Sequence, residues 1–135
     1  MRIVLDTNSL IQSVSPRSTY HAVWQSVLSG SNTLCVSNEI LEEYAEILQQ
    51  LAGEHTAEMV LDAIVRNNHV LFFTPHYRFN LITVDPDDNK FVDCAIQANA
   101  RYIVTNDKHY DVVRQIDFPK VGVIRLLDFL LMIHG

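Results

Sequence analysis

MRIVLDTN, residues 1–8, is the stretch from which the fold is read. Ile3, Val4 and Leu5 form a short apolar, partly β-branched run that stops abruptly at Asp6, Thr7 and Asn8. This pattern predicts a buried parallel-type strand with a carboxylate at its C-terminal end. Ligands of open α/β sheets collect outside such strand ends. An acid there is either a ligand for something positive or a cap for the helix that follows.

Working outward, the same type of run recurs. Thr33–Val36, Val70–Phe73, Tyr102–Val104 and Val121–Ile124 read as strands. Between them lie helical periods. Ser18 or Thr19 is expected to cap a helix through Ala22, Val23, Trp24, Val27 and Leu28 that ends near Gly30. Ser37 caps a strongly periodic helix bearing Ile40, Leu41, Tyr44, Ile47, Leu48 and Leu51, which Gly53 ends. A second amphipathic helix follows. Asp85-Pro86-Asp87-Asp88 opens another, because proline and acids both suit a first turn. A helix covers part of 107–116, and an apolar one closes the chain from Leu126 to Ile133. Residues 9–16 read as a short helix or loop, and Leu81-Ile82 as a small edge strand or loop. Alternation of strands and helices predicts an α/β sandwich on a mostly parallel sheet, with residues 1–135 as a single domain.

Bulk composition narrows the function classes. The chain has 48% hydrophobic and 19% charged residues, and a formal net charge of −6. An acidic total argues against a broad nucleic-acid surface, since phosphate contacts call for cations. It leaves room for a metal-dependent nuclease, whose ions reverse the local sign, and for a basic protein partner. No apolar run reaches the length of a membrane span. Met1-Arg2 leads directly into a strand with no secretory signal, so a soluble cytoplasmic protein is expected. Cys35 and Cys94 are expected to be buried free thiols. The six histidines lack zinc-ligand spacing, no Gly-rich phosphate loop occurs, and Ser9 and Ser37 have no His-acid partners nearby.

Four acids can be brought to one place. Val104-Thr105-Asn106-Asp107 ends as Val4-Leu5-Asp6 does, so two parallel strands would deliver Asp6 and Asp107 to one edge. Either acid alone reads as a helix cap. With Asp88 at zero on an ideal helix, Phe91 lies near 300°, Val92 near 40° and Ala95 near 340° (about 100° per residue). Asp88 therefore belongs to the apolar face, whereas Asp93, at about 140°, is expected to face solvent or play an outer role. The same geometry puts Glu43 at the border of its helix's apolar face, and Glu42 and Glu46 further out. Four such carboxylates need a cation, because like charges in close quarters raise each other's pKa. Hard oxygen donors suit Mg²⁺ or Mn²⁺, and the chemistry such ions bring is phosphodiester hydrolysis.

VLDTN, SNEILEEYAEIL, DPDDNKFVDCAIQANARYIVTND and VGVIRLLDFL together resemble the PIN domain family, which includes VapC-like toxin ribonucleases. The third piece is the most specific, an aspartate opening an amphipathic helix followed by a strand ending in T-x-D. The resemblance covers nearly the whole chain and implies a three-layer α/β/α sandwich. It matches Asp6, Glu43, Asp88 and Asp107 to the family's metal-binding catalytic acids, with Asp87 able to substitute for Asp88. Thr105 and Asn8 match polar residues that steady those acids, Ser37 the helix-opening serine, and Asp93 an outer acid. Two positions depart from the pattern: His109 stands where another acid is common, and Asn106 where a small residue is.

The resemblance implies an Mg²⁺- or Mn²⁺-dependent endoribonuclease acting on RNA, a toxin held by an antitoxin, and a homodimer for which Trp24 or the helix pair after Ser37 offers apolar surface. Arg17, Arg78, Lys90, Lys108 and Arg114 are the cations that could guide a phosphate backbone. The alternatives are another metal phosphohydrolase of α/β type and a weakly active module that holds RNA or protein. Asp6-Thr7-Asn8 superficially matches a dehalogenase-type D-x-D loop, but Asn8 removes its general acid.

Overall fold

A computed structural model describes residues 1–134. Five strands, β1 (Arg2–Leu5), β2 (Thr33–Val36), β3 (Leu71–Phe72), β4 (Tyr102–Val104) and β5 (Gly122–Ile124), form one sheet in the order β3-β2-β1-β4-β5. Every pairing is parallel. The expectation of a mostly parallel sheet thus becomes a fully parallel one. Ile3, Val4, Leu5, Leu34, Cys35, Val36, Ile103 and Val104 are fully buried, as a sheet covered on both faces requires.

Among the described residues, seven helices complete the α/β/α sandwich: α1 (Thr7–Val14), α2 (His21–Ser29), α3 (Asn38–Ala52), α4 (Glu54–Val65), α5 (Asn89–Ala98), α6 (Asp111–Arg114) and α7 (Leu126–His134). Residues 9–16 are thus mostly helical. Ser37 caps α3, its hydroxyl accepting from the Ile40 N–H, and Gly53 separates α3 from α4 at φ 90°. Such positive φ values favour glycine. Gly30 ends α2 in the left-handed region.

Three readings are corrected, and the alternative left open at Leu81-Ile82 is decided. The N-cap of α2 is Tyr20, not Ser18 or Thr19. Ser18 instead closes a turn, accepting from the Tyr20 N–H and donating to the Gln12 carbonyl. Leu81-Ile82 is loop. Ile82 is buried, yet its N–H and C=O are satisfied by the Asn89 side chain at 2.9 and 2.8 Å rather than by a neighbouring strand. Asp93 does not face solvent, being 2% exposed. The 73–85 segment folds over the outer side of α5, and the Phe79 N–H donates to Asp93 Oδ1 at 3.1 Å. Trp24 is not surface either. At 6% exposure it belongs to the core and only lines an apolar cleft with Ile11, Val14 and Met59, whereas Leu51, Met59 and Val65 on the α3–α4 pair are well exposed.

Replacing Asp93 by alanine leaves the Phe79 amide without its acceptor. The expected cost is about 1–3 kcal/mol in urea denaturation, with faster amide exchange at Phe79. Unchanged exchange there would mean that other contacts hold the segment.

Both cysteines are free and buried, and burial pushes the thiols up, Cys35 to about 11 and Cys94 to about 12. No helix among the described residues is long and apolar enough to cross a membrane.

Candidate metal centre

The sheet's order creates the site. From β1 the chain moves to β2 and β3 on one side, then crosses back to β4 and β5 on the other. The C-terminal ends of β1 and β4 flank that switch point, with Leu5 opposite Val104. Asp6 follows β1 and Thr105-Asn106-Asp107 follows β4, so the two strand-end acids emerge at one edge.

Thr105 ties them together. Its hydroxyl donates to Asp6 Oδ2 and accepts from the Asp107 N–H at 3.0 Å. Asp6 is also a cap: its Oδ1 accepts from the Ser9 N–H at 2.8 Å at the start of α1. Asp107 likewise accepts from the His109 N–H at 2.8 Å. The cap reading and the ligand reading are compatible: capping leaves Asp107 Oδ2 free, and at Asp6, where Thr105 takes the second oxygen, each oxygen still keeps a lone pair. Burial raises the Asp6 carboxyl above its ordinary range, against hydrogen bonds from Thr105 and Ser9 that lower it and the Asp107 charge that raises it further.

Glu43 arrives from the middle of α3. Thr7 donates from its hydroxyl to Glu43 Oε2, and the Lys90 ammonium lies 2.6 Å from Oε1. Glu42 and Glu46, on the same helix, are exposed. Among the five cations considered for the site, Lys90 is the one that contacts a candidate acid. Arg78 pairs with Glu39, and Arg114 with Asp111.

Asp88 lies in a 3₁₀ turn (Pro86–Asp88) just ahead of α5, with Asp85 capping that turn. Desolvation raises the Asp88 carboxyl from 3.8 to about 6, the charges of Asp85 and Asp107 add to the rise, and His109 offsets part of it. Its Oδ2 is buried with no hydrogen-bond partner. A solvent-shielded carboxylate oxygen without a donor, beside further carboxylates, is an arrangement that a bound cation resolves. The donor set fits a hard divalent ion.

The four acids do not form one tight cluster. The tightest group among the described residues is Asp85, Asp88 and His109, whose ligand atoms all lie within 4.8 Å of one another. Asp107 Oδ1 joins it through His109 Nδ1 at 3.4 Å. Below them Tyr110 is fully buried, and its hydroxyl feels the charges of Asp88, Asp6, Asp107 and Glu43, which together with burial raise its pKa far above normal. Tyr44 donates to the Leu5 carbonyl at 2.6 Å under the end of β1.

Sequence reasoning missed Asp85 and Thr7 as neighbours of these acids. Asp85 reads only as the start of a helix, and Thr7 as part of a turn. The adjacency of Thr7 to Asp6 on a strand end was the available signal. Asn8 is exposed, and the buried neighbour that bonds a candidate acid is Thr7. Asp87 is exposed beside Asp88. Asn106 faces away, its Oδ1 accepting from the Leu126 N–H at 3.0 Å where α7 begins.

Comparison with known proteins agrees with this architecture. The PIN domain family matches residues 2–109. No curated protein sequence matches the chain. Among solved structures, VapBC2 from Rickettsia felis, bound to a promoter DNA fragment, superposes with a TM-score of 0.65 at 18% identity, covering 93% of this chain and 98% of that one. VapBC-1 from nontypeable Haemophilus influenzae gives 0.63 at 16% identity, covering 94% and 99%. VapC20 of Mycobacterium tuberculosis, a sarcin-ricin loop cleaving toxin, gives 0.53 at 13% identity, covering 75% and 86%. With four fifths of its length matched and a parallel sheet in the order β3-β2-β1-β4-β5, this chain belongs to the PIN domain family.

Proposed function

We propose that the chain, one PIN domain over residues 1–135, is an endoribonuclease dependent on Mg²⁺ or Mn²⁺. Asp6, Glu43, Asp88 and Asp107 would hold the ion or ions. The observation that carries this reading is the partnerless, buried Oδ2 of Asp88 facing other acids at the switch point of the sheet. When bound, the ion supplies Lewis-acid stabilisation of phosphoryl charge and lowers the pKa of water.

The chain's own groups have definable tasks. Thr105 and the Ser9 N–H hold Asp6 in one orientation. Thr7 fixes one oxygen of Glu43, and Lys90 the other. Lys90 thus neutralises Glu43 in the free protein, and it is the cation beside these acids that could pair with a phosphate. Asp93 acts at a distance from the acids by holding the 73–85 segment on α5.

RNA as the substrate, and a toxin's role opposed by an antitoxin, are supported by the likeness to VapBC complexes and to a sarcin-ricin loop cleaving toxin. A homodimer through the exposed α3–α4 side chains is part of the same reading.

Calorimetric titration with Mn²⁺ tests the metal. Asp6→Asn retains an acceptor for the Ser9 N–H, so the cap survives. Affinity is expected to fall by about tenfold or more, the scale on which even outer-shell changes act. Negligible binding to both proteins would sink the metal centre. RNA cleavage assayed with and without Mn²⁺ then tests the activity.

A further inference from the structure

We propose that His109 is itself a metal ligand, giving this site a nitrogen donor and hence a preference for Mn²⁺ and later first-row ions over Mg²⁺. The inference rests on the reading of these acids as a cation site, and goes beyond it by adding a ligand at a position where the family commonly has an acid.

The geometry is specific. His109 Nδ1 stands 3.4 Å from Asp107 Oδ1 and 3.6 Å from Asp88 Oδ2. The 3.6 Å separation is too long for a hydrogen bond. Donors bound at about 2.1 Å to one ion stand roughly 3.0–3.4 Å apart in neighbouring positions, so a small contraction would bring these atoms onto a common ion. Asp88 Oδ2, the oxygen nearer the imidazole, is the one that lacks any hydrogen bond. Asp85 completes a group of three with mutual spacings within 4.8 Å.

His109 is also held for the task. Its backbone N–H is anchored on Asp107, and the next residue, Tyr110, is fully buried with its hydroxyl 3.4 Å from the Asp88 carbonyl. The backbone thus presents the ring to Asp88 and Asp107 while leaving it partly exposed, open to an entering ion. Imidazole suits the later first-row divalent ions, whereas Mg²⁺ prefers oxygen alone.

The competing explanation is that His109 only balances the acids' charge and leaves when a metal enters. Electron spin-echo spectroscopy on the Mn²⁺-loaded wild-type protein separates the two without any variant. Nitrogen-14 modulation that changes to the nitrogen-15 pattern when histidine is isotopically labelled is expected. Bound Mn²⁺ with no histidine coupling would overturn the inference and leave the metal reading standing. No bound Mn²⁺ at all would overturn both. His109→Asp restores an oxygen donor: the modulation should vanish, Mn²⁺ should still bind, and the Mn²⁺/Mg²⁺ affinity ratio should drop by about tenfold. An unchanged ratio in this variant would also count against the inference.

Discussion

Asp88→Asn is expected to make the metal-free protein more stable at pH 8 while lowering Mn²⁺-stimulated RNA cleavage by at least about a hundredfold. The two effects share one cause. Desolvation, then Asp85 and Asp107, raise the folded-state pKa of Asp88 from 3.8 to about 6. The folded protein therefore holds a proton that the unfolded chain releases, so the group's favourable contribution is complete below about pH 4 and is lost as pH rises through 6. Ionised at pH 8, the carboxylate costs at most roughly 3 kcal/mol relative to its unfolded state, reduced by solvent screening at this partly exposed site. Asparagine keeps the shape and drops the charge, so a gain of about 1–3 kcal/mol is expected in chelator at pH 8, closing near pH 4. Mn²⁺ at about a thousandfold excess over Kd should reverse the order, because it stabilises only the protein that binds it, by about 4.1 kcal/mol. Thermal unfolding at the two pH values, with and without Mn²⁺, measures all of this. A less stable variant at pH 8 in chelator would refute the account.

Phe91→Ala is expected to cost about 3–5 kcal/mol, a large share of the stability of a domain this size. Phe91 is 1% exposed on the core face of α5. Its ring lies 6.5 Å from that of Tyr44, tilted by 35°, and Lys90 Nζ is 5.7 Å from its centroid. One ring thus joins α5, which follows Asp88, to α3, which carries Glu43. Its loss leaves a cavity at that junction and frees Tyr44, whose hydroxyl steadies the end of β1 beneath Asp6. Urea denaturation should show a lower midpoint at an unchanged m-value. Val112→Ala, at a position 42% exposed on α6, should stay within about 0.5 kcal/mol of wild type and serves as the control. A cost below about 1 kcal/mol for Phe91→Ala would mean that the α3–α5 junction is not packed as described.

Much of the architecture can be read without coordinates because parallel strands buried on both faces leave little ambiguity. Thr33–Val36 and Tyr102–Val104 are strands over those residues. Periodicity also separates Glu43, half-buried and bonded, from its exposed neighbours Glu42 and Glu46. It fails for Asp93 because a helical wheel assumes a solvated outer face, and the 73–85 segment covers that face of α5. Edge strand β3 shrinks to Leu71–Phe72 for a related reason. It has a partner on one side only, and Phe72 is half-exposed.

Local chemistry along the chain determines that Asp6, Asp88 and Asp107 sit at a strand end, a helix entry and a second strand end, and each also caps or opens the next element. Three-residue steps of capping and 3.6-residue steps of burial are short-range, so sequence carries them. Which acids approach one another is a different matter, since it depends on strand order and on side-chain reach across 20 to 100 residues of chain. Pairing of β1 with β4 brings Thr105 onto Asp6, 99 positions away. The turn before α5 swings Asp85 and Asp88 towards His109, while Glu43 is drawn aside to Thr7 and Lys90. Four acids expected in a single cluster are therefore resolved by tertiary structure into a tight aspartate–histidine group and a glutamate held by its own partners.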